Sequence, residues 1–261
     1  MQRLRNTFED FWAALMFFTR LPWWRIHQPK AEHFRHVVEY WPFVGWLTGG
    51  IMMLTYSLIL LLPHASFAPY LSPLILLVVG VRVLLTGALH EDGLADFCDG
   101  MGGGNDKERI LAIMKDSHIG TFGVIGLLFY FLFLYAILPH LSPIVLLTAD
   151  VWGKSVASLL ILQLPYARTE AQAKNQTVYV RYHWPSQLLR IAFAMLPVAL
   201  LWFYIGTTPH IALFVIPIVI EILLALWMKS RIGGYTGDCC GATFLLCEAS
   251  ILLTFLLTSN L

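Results

Sequence analysis

Seven apolar stretches limit this chain more than any other feature; they run near residues 37–62, 70–89, 121–138, 144–164, 188–205, 211–228 and 242–258. Each approaches the roughly 20 residues that an α-helix needs to cross a hydrocarbon core. A helix also satisfies its own backbone hydrogen bonds, as a segment surrounded by lipid must. The sequence therefore predicts an all-α fold: a polytopic membrane helix bundle of about seven transmembrane helices. Composition agrees, because only 13% of the 261 residues are charged, against about 25% in soluble domains. A formal net charge of +1 offers no basic excess that would point to nucleic acid. Residues 1–261 read as a single integral membrane domain. The four cysteines, Cys98, Cys239, Cys240 and Cys247, form no C-x-x-C pair and read as reduced, small apolar residues.

Ahead of the first span, Phe8 to Phe18 is apolar but short and flanked by Arg3, Arg5 and Arg20. It reads as an interfacial helix, with Trp23, Trp24 and Arg25 extending the anchor. The connections 63–69, 139–143 and 206–210 contain no Lys, Arg, Asp or Glu. The N-terminal segment and residues 90–120, 165–187 and 229–241 hold nearly all the Lys and Arg. The positive-inside rule places the latter group in the cytoplasm, with the N-terminus inside and the C-terminus outside. All charged loops then share one face, as a site for a cytosolic substrate requires.

On that face lies His90-Glu91-Asp92-Gly93-Leu94-Ala95-Asp96-Phe97-Cys98-Asp99. On a helix, Asp92, Asp96 and Asp99 fall on one stripe and repel one another unless a cation fills it. Oxygen-only ligands favour Mg²⁺ over zinc. His90 is a candidate base, and Glu91 reads as a solvated bystander. A second segment, Lys115-Asp116-Ser117-His118-Ile119-Gly120-Thr121-Phe122-Gly123, could add the Asp116 carboxylate, a Lys115 contact to phosphate, and backbone amides at a helix start open to an anion. A capped helix start with small packing residues is the equal alternative. A third, Arg231 to Thr243, has four glycines beside Arg231, Thr236 and Asp238, which suits a phosphate cradle or else a hinge. Glu248 lies inside the last apolar stretch and is functional or paired with Arg82 or Lys154. Asp150 and Lys154, four residues apart, are expected to neutralise each other. Arg168 is either a phosphate contact or an anchor at the membrane edge.

Several acids with basic and Gly-rich loops point to metal-assisted phosphoryl chemistry. The blocks Thr19-Arg20-Leu21-Pro22, Pro42-Phe43-Val44-Gly45, His90-x-Asp92-Gly93-x-x-Asp96-x-x-Asp99-Gly100, Lys115-Asp116-Ser117-x-x-Gly120, Pro165-Tyr166-Ala167-Arg168 and Gly233-Gly234-Tyr235-Thr236-Gly237-Asp238-Cys239-x-Gly241-Ala242 together resemble cobalamin synthase, the adenosylcobinamide-GDP ribazoletransferase family. The resemblance runs in order over almost the whole chain. It implies a Mg²⁺-dependent enzyme of a bacterial inner membrane, with its site facing the cytoplasm. Such an enzyme joins adenosylcobinamide-GDP to α-ribazole or its 5'-phosphate and releases GMP. By that analogy Asp92, Asp96, Asp99, Asp116 and Asp238 are the metal candidates and His90 is the base. Lys115, Ser117, Gly120, Arg168, Arg231, Gly234, Thr236 and Gly237 are the substrate contacts. Association into a homo-oligomer or with other enzymes of cobalamin synthesis is left open. The family would lead one to expect a Ser-Arg type pair where Trp152-Gly153-Lys154 stands.

Two rivals differ in kind. A CDP-alcohol phosphatidyltransferase signature starts D-G-x-x-A-R, which Asp92-Gly93-Leu94-Ala95-Asp96 breaks. A cation transporter would want its acids at mid-membrane depth, whereas these lie at the boundary.

Overall fold

The computed structural model describes residues 2–63, 68–168, 178–180, 184–206 and 210–258. Parts of three connections used above to orient the chain (64–67, 169–177 with 181–183, and 207–209) lie outside the described residues. The described residues are helical, with no strand; one parallel bridge joins Tyr166 and Tyr235. Helix α1 (Gln2–Phe18) leads through two 3-10 segments, Trp23–Arg25 and Ala31–Tyr40, to α2 (Trp41–Leu60). Then follow α3 (Ala68–Thr86), α4 (Leu89–Gly103), α5 (Lys107–Lys115), α6 (Thr121–Ile137), α7 (Pro143–Ala157) and the single turn α8 (Leu160–Gln163). The chain closes with α9 (Trp184–Ala194), α10 (Leu196–Ile205), α11 (Ala212–Ile232) and α12 (Gly237–Thr258).

Burial sorts these helices into a centre and a periphery. The apolar window of Pro143–Gln163 is 89% buried and that of Gly237–Thr258 72%, but those of Thr121–His140 and Ala212–Ile232 are only 28% buried. The peripheral helices turn bulky apolar side chains outward, among them Phe129 and Leu132 on α6 and Leu223 and Leu226 on α11. Arg82, Asp150, Lys154, Glu221 and Glu248 are buried inside. Apolar outside and ionisable inside is the arrangement a bilayer selects. At the centre α4 crosses α12 closely, because Gly93 and Gly241 face each other there and spare the contact two side chains.

Among the described residues five helices are long and apolar enough to cross a membrane, and six if the bent pair α3 and α4 counts as one span. The stretch expected at 70–89 ends at a 90° turn. Gly87 (φ +65°) and Ala88 (φ +57°) both adopt left-handed backbone there; for alanine that conformation costs about 1–2 kcal/mol. Arg20 fills the corner, its backbone N–H donating to the Leu85 carbonyl at 2.7 Å, and a Cβ on Gly87 would lie 2.2 Å from the Arg20 side chain. The stretch expected at 188–205 is likewise not one helix. It breaks at Met195, just before Pro197, whose ring removes a helical donor and crowds the preceding turn.

The N-terminal helix is more embedded in the fold than an interfacial anchor would be. Ala13, Ala14 and Phe18 are buried, and α1 is tied to the 3-10 segment Ala31–Tyr40 by His33 Nδ1 and Asp10 at 2.6 Å.

Candidate active site

A cavity of about 140 Å³ opens where α4, α12, the end of α1 and the Tyr166–Arg168 turn meet. Its polar side holds Asp92, Asp238, Arg168 and the start of α12 at Gly237; its other wall is aromatic. These segments are distant in sequence, and two close contacts show how the turn and the start of α12 are brought together. Tyr235 N–H donates to the Pro165 carbonyl at 3.0 Å, and Ala167 N–H donates to the Tyr235 carbonyl at 2.8 Å. A Cβ on Gly234 would lie 2.2 Å from the Pro165 oxygen, so this stitch requires glycine. Gly233, at φ +71°, ends α11 and aims the chain into the stitch.

The start of α12 is built for a polar neighbour. Thr236 accepts the Cys239 N–H at 3.3 Å and caps the helix, and Asp238 stands in its first turn, where the helix dipole favours a negative charge. Arg168 is nearly buried and donates to the Leu111 carbonyl on α5 at 2.8 Å. It also lines a second cavity with Lys107, Glu108 and Lys115. Arg168 and Tyr166 therefore sit between two cavities, one edged by acids and one by lysines. Burial, followed by the nearby Asp238 charge, pushes the Tyr166 hydroxyl up to about 12, so it stays a neutral donor.

The other candidates are placed differently. Asp96 is buried one turn beyond Asp92 on α4. Asp99 accepts the Gly120 N–H at 2.7 Å and the Gly123 N–H at 2.8 Å, one on each oxygen. A helix start open to an anion was foreseen at Gly120; the anion it holds is the chain's own Asp99. A Cβ on Gly123 would lie 2.4 Å from that carboxylate. Asp116, Ser117 and His118 are exposed, and the His118 hydrogen bonds hold the Asp116 carboxyl below its usual range. Arg231 donates to the Gly104 carbonyl at 2.6 Å and closes the C-terminal end of α4. His90 is buried, and its Nε2 takes the Trp41 indole N–H at 3.2 Å. That ring nitrogen is committed, which argues against a proton-abstracting role through it.

Behind the site two ionic clusters lock the helices. Arg82 donates to both Glu248 oxygens at 2.7 and 2.6 Å, to Glu91 at 3.2 Å and to the Tyr130 hydroxyl at 2.7 Å. Of the partners offered for Glu248 in the sequence, Arg82 is the one it meets. Glu91 is corrected from bystander to clamp: it is 3% exposed, because the turn after α3 rotates it back toward Arg82. The second cluster joins Asp150 and Lys154, as expected, and adds Thr48 of α2, which receives the Lys154 ammonium at 2.7 Å. Glu221 is met by Gln163 at 2.9 Å. Sequence reading missed Trp41, Phe18 and Tyr179 at the cavity. In apolar stretches such aromatics carry no mark that separates wall from core.

Comparisons with known proteins identify the family. Residues 10–256 match the family model described as cobalamin-5-phosphate synthase. A protein named adenosylcobinamide-GDP ribazoletransferase from Ralstonia pickettii (strain 12J) is 34% identical over 269 residues, covering 97% of this chain and 96% of the relative. Proteins of the same name from Shewanella amazonensis (strain ATCC BAA-1098 / SB2B), 33% identical with 98% of each chain covered, and Vibrio cholerae (strain ATCC 39541 / Classical Ogawa 395 / O395), 34% identical with 97% and 95% covered, are also similar. No solved structure matches. The lipid phosphatidyltransferase and transporter readings are not favoured; over nearly its full length, this chain belongs to the cobalamin-5-phosphate synthase family.

Proposed function

We propose that the chain joins adenosylcobinamide-GDP to α-ribazole or its 5'-phosphate, releases GMP, and does so between the acid-edged and lysine-edged cavities. Beyond family membership, one observation carries this: Arg168 stands between a pair of carboxylates, Asp92 and Asp238, and the lysines of α5. A diphosphate laid across Arg168 meets its guanidinium and, on one side, the lysines of α5; on the other it meets Asp92 and Asp238, which call for a metal ion between them and the phosphate. The start of α12 adds N–H donors to whichever phosphate lies nearer Asp238.

Asp92 and Asp238 fit a Mg²⁺ ion that arrives with the diphosphate. Among the described residues no three His, Cys, Asp or Glu gather around one point, and Mg²⁺ is usually bound through one or two carboxylates plus substrate phosphates and water. When bound, the ion supplies charge neutralisation for the departing phosphate. Asp99 fits such a ligand set poorly, since both its oxygens are already hydrogen-bonded.

The chemistry left to the chain is positioning. A ribose hydroxyl of α-ribazole attacks the cobinamide-side phosphorus, a new P–O bond forms, and the bond to the bridging oxygen breaks with GMP leaving. The hydroxyl proton has Asp92 and Asp238 as nearby acceptors. Lys107 and Lys115 face the leaving nucleotide as point charges. The site faces the cytoplasm of a bacterial inner membrane, a placement supported by the Lys and Arg grouped around α5, Arg168 and the end of α11.

The test is GMP release by the purified chain in nanodiscs given both substrates, with Mg²⁺ and after its removal by chelation. Release that stops on chelation and returns with Mg²⁺ is the expected result. Release that ignores chelation would remove the metal from the proposal, and no release by folded protein would remove the activity.

A further inference from the structure

The geometry points to Arg20 as the contact for the 5'-phosphate of the acceptor nucleoside, in a wide cavity that borders the acid-edged one. This inference rests on the transferase reading. It also gives a task to the block Thr19-Arg20-Leu21-Pro22, which the chemistry above leaves unused.

The cavity measures about 680 Å³, within the range of sites that take small molecules. It opens between the end of α1, the 3-10 segment Ala31–Tyr40 and the corner that joins α3 to α4. Among the described residues that line it, Arg20 is the one that carries a charge. The two threonines beside it are committed to the backbone: Thr19 donates to the Leu15 carbonyl at 2.7 Å and Thr86 to the Arg82 carbonyl at 3.0 Å. An anion that enters meets one cation and no carboxylate in the lining.

That cation is held ready. The Arg20 backbone N–H donates to the Leu85 carbonyl at 2.7 Å, and its stem lies over Gly87, where a Cβ would come within 2.2 Å of Nε and 2.7 Å of Cγ. Glycine at φ +65° thus leaves a seat for the stem, while the residue as a whole stays exposed. A guanidinium matches a phosphate with two parallel N–H donors, and a stem already in place has less freedom to lose on binding.

The order of the cavities says which phosphate. Phe17 and Leu89 line both the Arg20 cavity and the acid-edged one, whereas Tyr166 and Arg168 line both the acid-edged cavity and the lysine-edged one. The two outer cavities have no lining residue in common, so the acid-edged cavity stands between them. In phosphoryl transfer the attacking and leaving oxygens lie roughly in line across the phosphorus. With GMP leaving toward the lysines of α5, the attacking hydroxyl arrives from the edge at Phe17 and Leu89. Leu89 precedes Asp92 by three residues of α4, ~4.5 Å along the axis. A ribose seated over that edge holds its 5'-phosphate toward Arg20 and a hydroxyl toward Asp92. The diphosphate of the other substrate is met by Arg168 and the lysines, which leaves Arg20 for the acceptor.

The experiment measures KM in nanodiscs for α-ribazole, α-ribazole-5'-phosphate and adenosylcobinamide-GDP, in wild type, Arg20→Met and Arg20→Lys. Methionine keeps a flexible stem over Gly87 and removes the charge. Wild type should show the lower KM for the phosphorylated acceptor. Arg20→Met should raise that KM about tenfold or more, the scale of one hydrogen bond to a charged group. Its KM for α-ribazole and for adenosylcobinamide-GDP should stay within about twofold of wild type, which also shows that the variant is folded. Arg20→Lys should fall between the two, as a point charge in place of a fork. An equal rise for both acceptors, a rise confined to adenosylcobinamide-GDP, or no change in any KM would overturn the inference and leave the transferase intact. So would a wild type indifferent to the acceptor's phosphate. If wild type releases no GMP with either acceptor, the transferase reading fails and takes this inference with it. If Arg20→Met does not fold, Arg20→Lys decides by the same criterion, a rise of a few-fold for the phosphorylated acceptor alone.

Discussion

At the scale of single residues, the acidic run divides by where each carboxylate lies. Asp92 and Asp238 edge a cavity, whereas Asp99 is consumed by two backbone donors. Asp92→Asn and Asp238→Asn should each lower kcat/KM by about 10²-fold or more, the order seen when one charge-stabilising group is removed, with thermal unfolding near that of wild type. Asp99→Asn should do the reverse. Its amide would point a donor at a donor, and hydrogen bonds to a charged group are worth about 1.5–3 kcal/mol each, so the unfolding midpoint should fall first. Equal loss of activity in all three variants, with unchanged melting, would restore Asp99 to the site. Nothing in the spacing separates these roles. Asp92, Asp96 and Asp99 do share a stripe, but which neighbour covers each turn of that stripe is decided by α6 and α12, elsewhere in the chain.

Among the helices, the ionic clusters act as fasteners. Arg82 on α3 holds Glu91 on α4, Tyr130 on α6 and Glu248 on α12, so the helix that carries Asp92 is fixed one residue from it. Replacing Arg82 with Met strands two buried carboxylates, and breaking a buried pair from one side costs about 3–5 kcal/mol. The loss should appear in the melting of detergent-solubilised protein, and adding Glu248→Gln should recover part of it; a double variant no better than the single would deny the pairing. Gly234→Ala tests the stitch between α12 and the Tyr166–Arg168 turn. The methyl would meet the Pro165 carbonyl, displace Arg168 and lower kcat/KM by about 10²-fold, the scale of a 1 Å misplacement. Wild-type kcat/KM in that variant would show that the stitch does not position Arg168. The long helices were legible because apolarity over twenty residues leaves few options. The fasteners were visible as buried charges but not as pairs: Arg82 and Glu248 are 166 positions apart, and a helix's facing direction is set by packing. The bend at Gly87–Ala88 was hidden too, since alanine seldom adopts a left-handed conformation.

For the whole molecule, function depends on which side of the bilayer receives the site. The charge asymmetry of the loops predicts that α5 and the Arg168 turn face the cytoplasm and the end of α2 faces out. The structure gives this a clean test, because its native cysteines are poor targets: Cys239, Cys240 and Cys247 are buried and Cys98 is only partly exposed. Burial also pushes the thiol of a cysteine up, and the thiolate is the form that reacts with a maleimide. Leu61→Cys, at a position 80% exposed beyond α2, and Ser117→Cys, exposed between α5 and α6, lie in segments predicted to face opposite sides. In intact cells with permeabilised outer membranes, a membrane-impermeant maleimide should label Leu61→Cys and spare Ser117→Cys. In inside-out vesicles the pattern should invert. Labelling of Ser117→Cys from outside would turn the molecule over and put its acids and lysines beyond the reach of cytosolic nucleotides, where a GDP-activated substrate could not be supplied.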